Sequence, residues 1–201
     1  MRPSILILPG LHGSEEDHWQ SQWERLLPQA ERVVQADWSD PLRTDWLLRL
    51  DRALERRPGA FLVAHSLGCA LVAHHAELTG GQSVAGALLV APADVERPGA
   101  REPLTRFAPL PRKALPFPSV LVASRDDPWM AFSRARALAE HWGSRFVDVG
   151  PLGHINVAAG VGPWIDGLRH LTDLMEASAR QERFRPRDDE TTTRDLNKES
   201  Y

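Results

Sequence analysis

One stretch constrains the fold of this chain more than any other: Phe61-Leu62-Val63-Ala64-His65-Ser66-Leu67-Gly68-Cys69-Ala70. The apolar run Phe61–Ala64 reads as a buried parallel strand. It stops at His65-Ser66 and gives way to a helix-compatible run from Leu67 to Leu78. Small residues, Ala64 and Gly68, stand two before and two after the serine. A sharp strand-to-helix turn requires that spacing, because bulky side chains there would collide across it. Such a turn holds the serine in a strained backbone conformation and lifts its hydroxyl to the carboxyl edge of a sheet. It also puts the Leu67 N–H at a helix N-terminus, where a developing oxyanion is stabilised. The first small position is usually Gly, so Ala64 is a conservative departure. A serine at a strand–helix junction is ordinarily just an N-cap, and the rest of the chain must decide between the two readings.

The remaining segments supply a sheet for this turn to sit in. Ile5–Leu8 is a first strand ending in Pro9-Gly10-Leu11-His12-Gly13-Ser14. A helix follows from about Asp17 to Leu27, with Trp19, Trp23 and Leu26-Leu27 at helical spacing. Arg32–Ala36 reads as a second strand leading into Asp37-Trp38, and Thr44–Arg57 as a helix striped by Trp46, Leu47, Leu50 and Leu54. Beyond the elbow helix, which Gly80-Gly81 ends, Val84–Ala91 is a fourth strand. Pro92–Pro118 is Pro-rich with little periodicity, a loop carrying at most one short helix. Ser119–Ala123 is a fifth strand, Ala131–Trp142 a helix, Arg145–Val149 a sixth strand and Trp164–Ala177 a last helix. Strands alternating with helices of this length predict a mostly parallel sheet of about six strands, covered by helices on both faces. One domain, 1–177, is expected. From about Ser178 to residue 201 the chain is charged and poor in large apolar residues, as expected of a flexible tail.

Composition bounds the function classes. The 201 residues are 42% hydrophobic and 25% charged, an ordinary globule with enough chain for a full core. A net charge of −3 offers no electrostatic footprint for nucleic acid or an anionic membrane. The single cysteine, Cys69, excludes an internal disulfide framework and a thiolate zinc site. One turn after Ser66, it reads as a small buried hydrophobe. No apolar run approaches bilayer length. A core-like strand begins at once after the first residues, leaving no room for a signal peptide, and a cytoplasmic location is expected.

In an open parallel sheet, functional groups gather beyond the carboxyl ends of the strands. Ser66 follows the third strand, Asp126 and Asp127 the fifth, and His154 the sixth, within Gly153-His154-Ile155. That order, Ser then Asp then His, is the one an α/β-hydrolase triad takes. His154 would accept the serine proton and return it to a leaving group, while a buried carboxylate fixes the imidazole tautomer. Spacing from the strand end suits Asp126 as well as Asp127. The oxyanion would be met by the N–H groups of Leu67 and of the loop after the first strand, Leu11 being the nearest choice. Trp38 and Trp129 follow strand ends and are candidate pocket walls, with His12 and His65 beside them. His65 suits packing or hydrogen bonding better than catalysis. His18 suits a helix start. His12, His18, His74 and His75 lie in separate segments without partner carboxylates or thiolates, so no metal site is expected.

Pro9-Gly10-Leu11-His12-Gly13-Ser14, His18-Trp19-Gln20 and Trp23-Glu24 resemble the N-terminal signature of small serine hydrolases of the YdeN/retinoblastoma-binding-protein-nine type. Ala64–Gly68, Asp126-Asp127-Pro128 and Gly153-His154-Ile155-Asn156 with Gly160-Val161-Gly162-Pro163-Trp164 extend the likeness over roughly residues 3–176. The resemblance implies a compact three-layer α/β-hydrolase fold without the first strands and large lid of bigger relatives. By the family's pattern the acid directly precedes proline, which selects Asp127. It implies a serine hydrolase needing no cofactor, acting on small ester substrates. An amidase or aminopeptidase is the alternative chemistry. A rival class is a protein-binding module that keeps the triad and presents the Pro-rich segment 92–118 to a partner.

Overall fold

A computed structural model describes residues 3–183. Its elements are β1 (Ile5–Leu8), α1 (Trp19–Leu26), β2 (Ala30–Arg32), α2 (Arg43–Arg56), β3 (Ala60–His65), α3 (Leu67–Thr79), β4 (Val84–Val90), β5 (Ser119–Ala123), α4 (Phe132–Trp142), β6 (Arg145–Asp148) and α5 (Ile165–Arg183), with short 3₁₀ turns at Leu104–Phe107 and Val157–Ala159. The six strands form one sheet in the order β2-β1-β3-β4-β5-β6, every pairing parallel. The order of winding reverses between β1 and β3, so the loops at their carboxyl ends diverge around a crevice.

Because side chains alternate along a strand, each strand feeds two cores. Leu6, Leu8, Leu62, Ala64, Leu89 and Leu121 point into a layer shared with Trp46 and Leu50 of α2, Leu71 of α3 and Leu138 of α4. Ile5, Ile7, Phe61, Val63, Val90 and Val122 face the opposite layer, where Trp19 and Trp23 of α1 meet Trp164 and α5's Leu171 and Leu174. The result is three layers with helices on both faces, as the alternation of apolar segments predicts. Among the described residues, no helix is long and apolar enough to cross a membrane.

Two boundaries move. The second strand pairs with β1 through Ala30–Arg32 rather than Arg32–Ala36. The Val33 N–H still bonds Ile7 O at 2.9 Å, but the chain then leaves the sheet and Val34 is exposed. A half-covered edge strand has little need of an apolar sequence, so the apolar pair Val33-Val34 marked the exit instead of the ladder. At the other end α5 continues past Ala177 to Arg183. Ser178 is buried, its Oγ donating to Ala85 O at 3.3 Å, a contact with no apolar signature. The rest of the expected tail, 184–201, lies outside the described residues.

Candidate active site

The junction of β3 and α3 is the strained turn the sequence calls for. Ser66 has φ 55° and ψ −120°, a region that L residues occupy only when the surroundings impose it. Those surroundings are backbone. A Cβ on Gly68 would stand 2.3 Å from Leu8 O, and one on Gly10 would stand 2.7 Å from Ser66 Cβ and 3.2 Å from Leu67 N. The elbow is thus pressed against the end of β1 and the loop after it, and only glycine fits at either contact. Ala64 is fully buried, so a methyl group is accommodated where the usual pattern has none.

Ser66 Oγ donates to His154 Nε2 at 2.9 Å. His154 Nδ1 lies 3.0 and 2.9 Å from the two carboxylate oxygens of Asp127. An imidazole whose Nδ1–H is held by a carboxylate presents a bare Nε2 as acceptor, the tautomer that can take a serine proton. The side chains of His154 and Asp127 are 10% and 2% exposed, so the pair works largely out of water, where such contacts are strong. Asp127 Oδ1 also accepts the Trp129 N–H at 2.8 Å. Asp126 points elsewhere: its Oδ1 accepts Ser124 Oγ at 2.7 Å and the Gly153 N–H at 2.8 Å. Ser124 Oγ in turn accepts the Leu152 N–H at 2.8 Å. Adjacent carboxylates therefore do different things, one facing the imidazole and the other holding the loop that carries it.

The loop bearing His154 is braced from beneath. Trp19 Nε1 donates to Ile155 O and Trp23 Nε1 to Pro163 O, both at 2.8 Å. The tryptophans at helical spacing are core residues, as expected, yet their indole N–H groups also reach this loop. His65 is 5% exposed, its Nε2 donating to His154 O at 2.9 Å. Its ring centroid is 4.8 Å from that of His154 and 4.9 Å from that of His18. It is a strut behind the imidazole, not an open pocket surface. Burial, then repulsion from His154 and His18, holds His65 well below the usual histidine range. Burial, then the neighbouring charges of Arg32 and His154, lowers His18 to about 4. His65 and His18 therefore stand beside His154 as neutral rings at neutral pH. His18 is also the α1 N-cap, its Nδ1 accepting the Gln20 N–H at 3.2 Å.

Sequence reasoning missed Gln20. It is fully buried; Nε2 donates to Leu8 O at 3.3 Å and Val63 O at 3.0 Å, and Oε1 accepts Ser14 Oγ at 2.8 Å. It clasps β1 and β3 where they diverge under Ser66. The signal was a polar residue beside two tryptophans on an otherwise apolar helical face. The Leu67 and Leu11 N–H groups have no hydrogen-bond acceptor among the described residues. His12 is exposed, with φ 67°, and its N–H bonds Trp38 O at 2.7 Å. Trp38 itself is partly buried against Trp46 and the first core. Trp129 is 41% exposed, its ring centroid 6.3 Å from that of His154. Cys69 is buried, its thiol pushed up by burial, an inert small side chain. His74 Nε2 meets Phe107 O at 2.7 Å, away from His12 and His18. Among the described residues, no group of three or more His, Cys, Asp or Glu is disposed to hold a metal ion.

A doubly covered parallel sheet with a strained serine after β3, and a histidine and carboxylate within hydrogen-bond reach, defines the class of serine hydrolases with the α/β-hydrolase fold. The family model described as serine hydrolase matches residues 5–173, and the chain belongs to that family. It is of the YdeN type. A structure described as a YdeN-like hydrolase, from Pectobacterium atrosepticum, is 36% identical over 88% of this chain and 92% of its own, with a TM-score of 0.78. The ydeN gene product of Bacillus subtilis superposes with a TM-score of 0.70 at 23% identity, over 89% of this chain and 100% of that one. Est1E from Butyrivibrio proteoclasticus, solved with ferulic acid bound, shares the fold at 10% identity, over 87% and 90% of the two chains, with a TM-score of 0.64. Among curated proteins, none matches the chain in sequence.

Proposed function

We propose that this protein is a carboxylic ester hydrolase that works through an acyl-enzyme on Ser66. The observation that carries the reading is the continuous path from Ser66 Oγ through His154 to Asp127, each step within 3.0 Å. Ser66 attacks the ester carbonyl as its proton passes to His154 Nε2, and Asp127 stabilises the imidazolium. The tetrahedral oxyanion is received by the Leu67 N–H, at the N-terminus of α3, and by the Leu11 N–H. Support for those two donors is that neither has another acceptor among the described residues. His154 then protonates the departing alkoxide, and a water, activated by the same imidazole, releases the acid and restores Ser66. Small ester substrates suit this arrangement, because an alcohol leaves more readily than an amine and His154 is placed to protonate it. No step requires a cofactor.

The test is fluorophosphonate labelling followed by peptide mass spectrometry, on the wild type, Ser66→Ala and His154→Ala. A single adduct on Ser66, absent in the first variant and much slower in the second, is the expected result. A folded wild type that takes up no label overturns the proposal and favours the binding-module reading.

A further inference from the structure

Because β4 lies between β3 and β5 in the sheet, the segment leaving its carboxyl end emerges between Ser66 and Asp127. That segment is tied to the acid's loop by the Asp94 N–H, which bonds Trp129 O at 3.0 Å. Three arginines gather around it. Arg134 pairs with Asp94 at 2.7 Å and also with Glu96, and Arg112 stands 3.9 Å from Glu96. Both carboxylates of the segment are therefore engaged, and Asp127 is committed to His154. Arg97 is the exception. Among the described residues it enters no ion pair, and its buried Nε has no hydrogen-bond acceptor. Its guanidinium lies over the Trp129 ring, 4.5 Å from the centroid, and the same ring stands 6.3 Å from the His154 imidazole.

An arginine over an indole can turn its terminal N–H donors to the rim of the ring, a geometry matched to a carboxylate. We propose that Arg97 is a specificity-determining residue that selects substrates whose acyl chain ends in a carboxylate, monoesters of short dicarboxylic acids. The inference rests on the ester-hydrolase reading above. The Trp129 ring is shared by both groups, 4.5 Å from the guanidinium and 6.3 Å from the imidazole, so the substrates meant are acyl chains of about five or six carbons, long enough to reach from the one to the other. The terminal carboxylate is received by the terminal N–H groups of the guanidinium, which pair with no carboxylate among the described residues.

The experiment compares monomethyl adipate with methyl hexanoate by pH-stat titration, and measures how far free adipate slows fluorophosphonate labelling of Ser66. Wild type is expected to favour the anionic ester. Arg97→Met, which keeps the packing on Trp129, is expected to lower kcat/KM for monomethyl adipate about 10–100-fold more than for methyl hexanoate, mainly through KM. Arg97→Lys restores part of the difference, and protection by adipate disappears in Arg97→Met. If the two esters fall equally in Arg97→Met, or adipate protects neither protein, the inference fails while labelling leaves the hydrolase reading standing. If Ser66 does not label at all, both fall together.

Discussion

At the scale of single residues, the site separates two neighbouring carboxylates by what each one faces. Asp127 bonds the imidazole and Asp126 bonds the backbone N–H of Gly153. Replacing each by Asn should therefore have different signatures. Asp127→Asn offers an amide N–H where Nδ1–H needs an acceptor, favouring the wrong tautomer, and should cost on the order of 10⁴-fold in kcat with little change in KM. Asp126→Asn weakens the hold on the His154 loop; roughly 10-fold in kcat with a lowered Tm is expected, since a charge-assisted bond to the Gly153 N–H becomes a neutral one. Steady-state kinetics and thermal melts of the two variants check this, and equal losses in kcat would sink the division of labour. The sequence alone left both aspartates open by spacing. The orientation of Asp126 is decided by Ser124, two residues before it, together with Gly153, which reaches it only in the fold. Arg97 and Gln20 escaped notice for a related reason: their partners are an indole and main-chain carbonyls from segments far along the chain.

At the scale of elements, helix α1 does more than cover one face of the sheet. It carries Trp19, Gln20 and Trp23 and begins at His18, whose depressed pKa makes stability depend on pH. The folded state keeps His18 neutral down to about 4, whereas an unfolded histidine gains its proton near 6.5. Folding stability from this group is thus fully present above the unfolded value and drains away as the pH falls from about 6.5 toward 4. By pH 5 the loss from His18 should be roughly 2 kcal/mol, and His65, shifted in the same direction, adds to it. His18→Asn retains an N-cap acceptor but does not titrate, so urea unfolding at pH 7.5 and 5 should show a smaller drop than in the wild type. An unchanged drop would remove His18 from the account. Elements of this kind were legible because Trp19 and Trp23 repeat at helical spacing. The edge strand β2 was misplaced because Ala30-Glu31-Arg32 is half-exposed and needs no apolar pattern.

For the molecule as a whole, the legible part is the topology. Ser66, Asp127 and His154 each come after a different strand of one parallel sheet, and parallel strands bring the loops at their carboxyl ends to a common edge. Where the last helix ends was less legible, since α5 runs on through Ser178 to Arg183 by small and charged residues. A chain cut after Ala177 should melt about 5 °C below one cut after Arg183, corresponding to roughly 1–2 kcal/mol for a domain of this size; coincident melting curves would show that the final turns of α5 contribute nothing. The indole of Trp19, bonded to Ile155 O beside His154 and 5.0 Å from the ring of Trp164, makes the protein its own optical probe. Any shift of the histidine loop during turnover alters the surroundings of a buried emitter, so acylation can be followed in stopped flow by native ultraviolet fluorescence, without an attached dye.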